Sequence, residues 1–218
     1  MMRPALGAAA TTVLLLAGAP ARALPMGSVD TWMVMGDFAA RSRDLAVNYA
    51  VTPRDAFGAA VGRWRTKPAG GALLREVGGL TYTRLVKRWN LPDAQANLWA
   101  VGTLGSLRSG SSQSETLWSP SVMADYETTR VYVSGGLKTQ RSASVRQDTA
   151  YARAGFSFYE VDYEEIQPWL VVEAKRQRDV VFKTETAAWL RLIHKRYFVE
   201  LGADDEGRVR FNFMYNHW

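Results

Sequence analysis

The chain has 218 residues and no cysteine, so neither a disulfide framework nor a thiolate metal site is open to it. Lys and Arg number 27 against 21 Asp and Glu, but they are scattered singly or in short clusters, which excludes the dense basic footprint of a nucleic-acid-binding protein. Eight Trp, nine Tyr and eight Phe alongside 18 Gly suit strands, and after the leader no segment has the long apolar run of a membrane helix.

The N-terminus reads as a signal peptide: Arg3 is a positive n-region, Ala5 to Ala17 an apolar run, and Ala21-Arg22-Ala23 a small-x-small cleavage site. Residues 1–23 are expected to be removed, leaving a single domain over 24–218. The alternative, an uncleaved N-terminal anchor, suits the short apolar run less well. Arg3 and Arg22 leave with the leader, so a modest basic excess remains.

From there the dominant period is two, the signature of half-buried strands. In 44–51, Leu45, Val47, Tyr49 and Val51 oppose Asp44, Ala46, Asn48 and Ala50. In 150–158, Ala152, Ala154, Phe156 and Phe158 oppose Tyr151, Arg153, Gly155 and Ser157, and in 169–176 Leu170, Val172 and Ala174 oppose Val171, Glu173 and Lys175. In 208–215, Val209, Phe211, Phe213 and Tyr215 oppose Arg208, Arg210, Asn212 and Met214. Turns at 52–55, 90–93 and 204–207, and longer Gly-, Ser- or Ala-rich segments at 67–74 and 109–116, separate the runs. The spacing predicts about twelve strands, over 28–38, 44–51, 55–66, 76–88, 94–108, 117–126, 129–141, 148–159, 167–177, 182–193, 197–204 and 208–216. The first, fourth and sixth alternate poorly, which leaves ten possible. Residues 160–166 are compatible with one helical turn.

The fold class is therefore all-β: an antiparallel up-and-down transmembrane β-barrel. Hairpin-sized connections make a meander, and closure removes its edges. One strand face is aliphatic and aromatic while the other is charged or small, the inverse of a soluble barrel, and about twelve strands enclose too wide an interior for a compact apolar core. With a periplasmic N-terminus, the tight turns at 52–55 and 90–93 fall on that side and the longer segments outside. A soluble periplasmic β-barrel or sandwich binding a small ligand is the alternative.

Alternation points Arg63, Arg65, Arg84, Asp125, Arg130, Lys138, Arg153, Glu173, Lys175, Glu185, Arg191, Glu200, Arg208 and Arg210 toward a polar, mainly basic lumen. Charges of both signs on adjacent strands can pair. A salt-bridged interior that only holds the barrel together and a narrow, anion-preferring pore both fit this pattern. His194 and His217, the two histidines, stand beside no nucleophile, so no catalytic set is expected and a lipid-modifying enzyme is the least favoured reading. Glu164-Glu165 and Asp204-Asp205 read as solvated turn acids, and no cofactor is called for. Met33 and Met35 share a face of the first strand, and closure would bring Met214 beside them. Thioethers suit Cu(I), yet methionine also fills irregular gaps.

Signal peptide, alternating strands and Trp218 together resemble the small outer-membrane β-barrel proteins of Gram-negative bacteria. A C-terminal aromatic on an amphipathic last strand is similar to the signal such proteins present to their assembly machinery, although Asn216 and His217 interrupt the apolar pattern before it. Residues 124–130 (Ala-Asp-Tyr-Glu-Thr-Thr-Arg) and 155–164 (Gly-Phe-Ser-Phe-Tyr-Glu-Val-Asp-Tyr-Glu) further resemble an uncharacterised proteobacterial family. The resemblance implies residence in the outer membrane, with its lipid and assembly machinery as partners, no nucleic acid, and a small anionic solute as a possible passenger.

Overall fold

The computed structural model describes residues 26, 28–66, 73–110, 112–162, 164–178 and 184–217. The leader expected at 1–23 and the terminal Trp218 lie outside the described residues.

Twelve strands form the domain: β1 (Trp32–Phe38), β2 (Ser42–Ala50), β3 (Asp55–Thr66), β4 (Leu73–Asn90), β5 (Ala94–Ser109), β6 (Glu115–Thr128), β7 (Val131–Arg141), β8 (Arg146–Ser157), β9 (Gln167–Gln177), β10 (Thr184–His194), β11 (Tyr197–Asp204) and β12 (Val209–His217). Each pairs antiparallel with its sequence neighbours, and β12 pairs with β1 to close the barrel. Closure leaves no strand edge unpaired.

The three poorly alternating runs are strands whose pattern is blurred for local reasons. In β4 a bulge between Leu85 and Lys87 exchanges the faces. Thr81, Thr83 and Leu85 point inward before it; after it Arg88 does, its Nε donating to Asn97 Oδ1 at 2.7 Å. β1 and β6 carry apolar residues on the inner face, Met33 and Met35 in one and Leu117 and Met123 in the other, so hydrophobicity no longer marks the outside. β6 also carries Pro120, which has no N–H to give, and pairing with β7 lapses between Trp118↔Arg141 and Ser121↔Lys138.

The outer face is apolar. Leu80 is 73% exposed, Val209 67%, Leu104 65% and Val172 61%, on four different strands. Burying such a belt in lipid is worth about 25 cal/mol per Å² of apolar area, whereas a water-soluble monomer rarely leaves so much of it open. At the end of the barrel that holds both termini, aromatic rings pair across neighbouring strands: Trp32 with Tyr49 at 4.9 Å between centroids, Phe57 with Tyr82 at 5.1 Å and Tyr197 with Tyr215 at 5.0 Å. This is the girdle expected where a membrane barrel meets an interface.

The turn at 204–207 forms as read. Asp204 Oδ1 accepts the backbone N–H groups of Glu206 and Arg208 at 3.0 Å each, and Gly207 takes a φ of 72° that favours glycine. Within 160–166, compatible in sequence with one helical turn, Glu165 N–H donates to Asp162 O at 3.0 Å, closing a single turn three residues apart. The turns at 52–55 and 90–93 lie at the termini end, and the longer connection over 158–166, between β8 and β9, lies there too.

Candidate functional site

The inner face divides along the barrel wall. Along the middle of β2 to β6 it is built of small or neutral residues: Ala46, Ala60 and Gly79 in one row, Asn48, Gly58, Thr81, Thr103 and Ser119 in the next. Gly79 and Gly105 face each other so closely that a Cβ on Gly105 would stand 2.0 Å from Gly78 O, which only glycine permits.

From β8 to β12 the inner face is charged. Arg153 and Glu173 are cross-strand partners, as are Arg191 and Glu200. Arg153 Nη2 donates to both carboxylate oxygens of Glu200 at 2.8 Å, reaching from β8 to β11, and its Nε lies 3.3 Å from Glu173 Oε2. Arg191 Nε donates to Glu200 Oε1 at 2.9 Å, Arg210 Nη1 to Glu173 Oε1 at 2.8 Å, and Asn212 Nδ2 to Glu200 Oε2 at 3.3 Å. Glu200 and Arg191 are buried, at 0% and 1% exposure. Aromatic faces complete the setting. Arg191 lies over Tyr132 at 4.1 Å and Phe198 at 4.9 Å, and Arg210 over Trp189 at 4.9 Å. Gly202 makes room for that indole, since a Cβ there would meet Trp189 Cδ2 at 2.8 Å. Guanidinium over a ring is favourable where water is scarce.

Between the two walls lies a cavity of about 470 Å³, with Ala46, Ala60, Gly79 and Thr103 on one side and Arg153, Glu173, Arg210, Lys138 and Lys175 on the other. Lys138 and Lys175 line it without an ion pair among the described residues, while Asp37 and Asp44 enter from β1 and β2. The lumen is thus charged in both signs, with its cations concentrated on one wall, rather than mainly basic throughout.

Both ends of the lumen are narrowed. At the loop end Trp64 Nε1 reaches from β3 to Gln147 Oε1 on β8 at 3.4 Å, beside an apolar group of Leu107, Leu117 and Val145. At the termini end Met26, Met33, Ala50, Ala56, Leu85 and Trp99 pack together, with Asp125 accepting from Asn97 Nδ2 at 2.7 Å and Trp99 Nε1 at 2.8 Å.

Asp125, Lys138, Arg153, Glu173, Lys175, Glu185, Arg191, Glu200, Arg208 and Arg210 stand on the inner face. Glu185 and Arg208 meet at 3.3 Å near the loop end, where Arg208 also holds Asp204 at 2.7 Å and Glu206 at 2.6 Å. Partial burial opposes the Arg208 charge, but Asp204, Glu206 and Glu185 outweigh it and raise its pKa above the ordinary arginine value. Four residues read as inward are not. Arg63 and Arg65 share the face of Phe57 and Val61 and point outward, Arg63 meeting Glu76 at 2.8 Å. Arg84 is outward with Tyr82, pairing with Asp55 at 2.9 Å. Arg130 sits in the β6–β7 turn and donates to the carbonyls of Ser157 at 3.2 Å and Phe158 at 2.9 Å. In each case strand parity or a turn prevails over the rule that charge goes inside.

The inward Trp99, Trp169 and Trp189 and the acid Asp37 escaped the sequence reading, while Asp44 was placed on the polar face of its strand without being singled out. Trp189 shares the face of Arg191 by a period of two, so parity alone could have found it. His194 and His217 lie on the outer face, away from the lumen. Glu164 pairs with Lys195 in the turns at the termini end. Among the described residues no group of three or more His, Asp or Glu could hold a metal ion. Met33, Met35 and Met214 do come together, joined by Met26 and Met123.

No protein-family profile and no curated protein matches the chain in sequence. Its fold is similar to that of the KdgM porin, with a TM-score of 0.51 at 10% identity over 86% of this chain and 98% of that one. It is equally similar to the KdgM porin in complex with disordered oligogalacturonate, with a TM-score of 0.51 at 9% identity over the same shares. At such identity the likeness is one of fold: a closed antiparallel barrel of twelve strands.

Proposed function

We propose that this protein is exported by a cleavable signal peptide and resides in the Gram-negative outer membrane as a narrow passage for small anionic solutes. In this reading it belongs to the uncharacterised proteobacterial family its sequence resembles, and Trp218 presents it to the assembly machinery. The observation that carries the reading is the contrast among the lumen cations. Arg153, Arg191 and Arg210 are tied down by salt bridges to Glu173 and Glu200, whereas Lys138 and Lys175 face the cavity with no salt bridge among the described residues, opposed only at longer range by Asp37 and Asp44, and are within reach of a passing acid. The exposed apolar belt supports lipid over water as the surroundings and disfavours the soluble periplasmic alternative. That a protein of similar fold was solved with oligogalacturonate, itself acidic, agrees with an anionic passenger.

A second reading, a plugged barrel serving an accessory or structural role, is favoured by the Trp64–Gln147 contact across the mouth and the Met26 cluster at the other end. Purified protein in planar bilayers separates the two. A small conductance with a reversal potential displaced toward anions, weakened by replacing Lys138 and Lys175 with Ala, is the expected result. A closed bilayer with correctly folded protein establishes the plug, and a large unselective conductance overturns both.

A further inference from the structure

Met1 and Met2 precede the described residues; the other five methionines of the chain all pack into one cluster inside the barrel at the termini end. Met33 and Met35 come from one face of β1, and Met35 stands directly opposite Met214 on β12. Met123 arrives from β6, where its cross-strand partner is Trp99. Met26 folds in ahead of β1. From these positions we propose that the five thioethers form a binding site for a soft monovalent cation, Cu(I) or Ag(I), inside the lumen.

The chemistry of the donors points to that class of ion. A thioether is neutral, soft and a weak hydrogen-bond acceptor, so it offers little to Zn(II), Mg(II) or Ca(II) and much to Cu(I). Directly opposed residues of an antiparallel pair have Cβ atoms about 4.5–5.5 Å apart, and diagonal neighbours remain within reach of long side chains. Met33, Met35 and Met214 meet that condition by register alone. The cluster also has two sides. Met26 and Met33 are buried, at 3% and 1% exposure, while Met35, Met123 and Met214 line the central cavity. An ion in the lumen therefore has a route to three sulfurs backed by two more in an apolar setting. Trp99 presents an aromatic ring beside them, and Asp125, two residues from Met123 on the same inner face, supplies negative charge close by.

Gap filling is the competing explanation for methionine in a core. It accounts for each residue singly but not for their gathering, because the other inner packing clusters are built without methionine except where Met214 touches one. The two explanations also differ in what leucine would do. Leucine fills nearly the same volume and is tolerated in a core, yet it donates nothing to a metal.

The test uses full-length mature protein folded in detergent and titrated with Ag(I), or with Cu(I) against a chromophoric chelator. One ion per chain is expected to bind. The Met33→Leu/Met35→Leu/Met214→Leu variant should bind at least about tenfold more weakly while retaining its heat-modifiable mobility on a gel. Thioethers carry no proton to lose, so affinity should hold steady between about pH 5 and 8, unlike that of a histidine or carboxylate site. In the unmodified protein Ag(I) should shift the methionine methyl resonances, a readout that survives if the triple variant fails to fold. No uptake by the folded protein, affinity equal in the leucine variant, or unmoved methyl resonances would each overturn the proposal. Equilibrium binding needs no conduction, so this result stands or falls apart from the proposed anion passage.

Discussion

The two halves of the inner wall solve opposite problems. At mid-barrel, strands β8 to β12 send long charged and aromatic side chains far into the lumen, whereas β2 to β6 send alanine, glycine, serine and threonine and keep their larger inward residues, such as Trp64 and Trp99, for the two ends. A barrel of twelve strands is too wide for side chains of one length to meet in the middle. Here one wall reaches across and the other recedes, which leaves the cavity between them. The charged half gains rigidity because its ions are held on both sides: Glu200 takes Arg153, Arg191 and Asn212, and Glu173 takes Arg153 and Arg210. The small half supplies the free volume.

The comparison can be broken most severely at Glu200. Replacing it with Ala leaves Arg153 and Arg191 buried with less counter-charge, and losing one member of such a buried set costs about 3–5 kcal/mol. Urea titration of the folded barrel should show a large fall in the unfolding midpoint. Replacing Arg191 and Glu200 together, by Met and Leu, should recover much of that loss, because the pair is removed along with its desolvation penalty. Additive destabilisation in that double-mutant cycle would mean the network is not coupled as its geometry indicates.

The small wall is tested by filling it. Ala60→Phe projects a ring into the cavity. Its stability cost should stay below the roughly 1–3 kcal/mol of overpacking a filled core, since there is space to enter. Conductance should fall while heat-modifiable mobility is unchanged, and unaltered conductance would place the passage elsewhere. The smallest effect is expected outside the lumen. Arg84 pairs with Asp55 on the exposed outer surface, and Arg84→Ala should leave both the urea midpoint and the conductance unchanged within error.

Strand identity was legible because the signal is local. A period of two survives in β2, β8, β9 and β12, and their turns carry the Pro, Asp and Gly that end them. The lumen was legible in part by the same rule: Arg153, Glu173, Arg191, Glu200 and Arg210 follow parity and stand inside. Arg63, Arg65 and Arg84 also follow parity, but with apolar neighbours, and reading them by charge turned them the wrong way. Near a barrel rim the outer face can carry charge without entering the hydrocarbon, so composition and parity disagree there and parity prevails.

The sequence by itself determined the antiparallel strands and the existence of two chemically different faces, since each depends on residues two to four positions apart. Tertiary structure decided what those faces meet. Closure of β12 on β1 brings Met214 opposite Met35, and curvature lets Arg153 on β8 reach Glu200 on β11 across the intervening strands. The bulge in β4 and the lapse at Pro120 shift faces and pairing that no fixed period encodes. Contacts across a lumen join residues far apart in the chain, and only the geometry of the closed sheet fixes which of them touch.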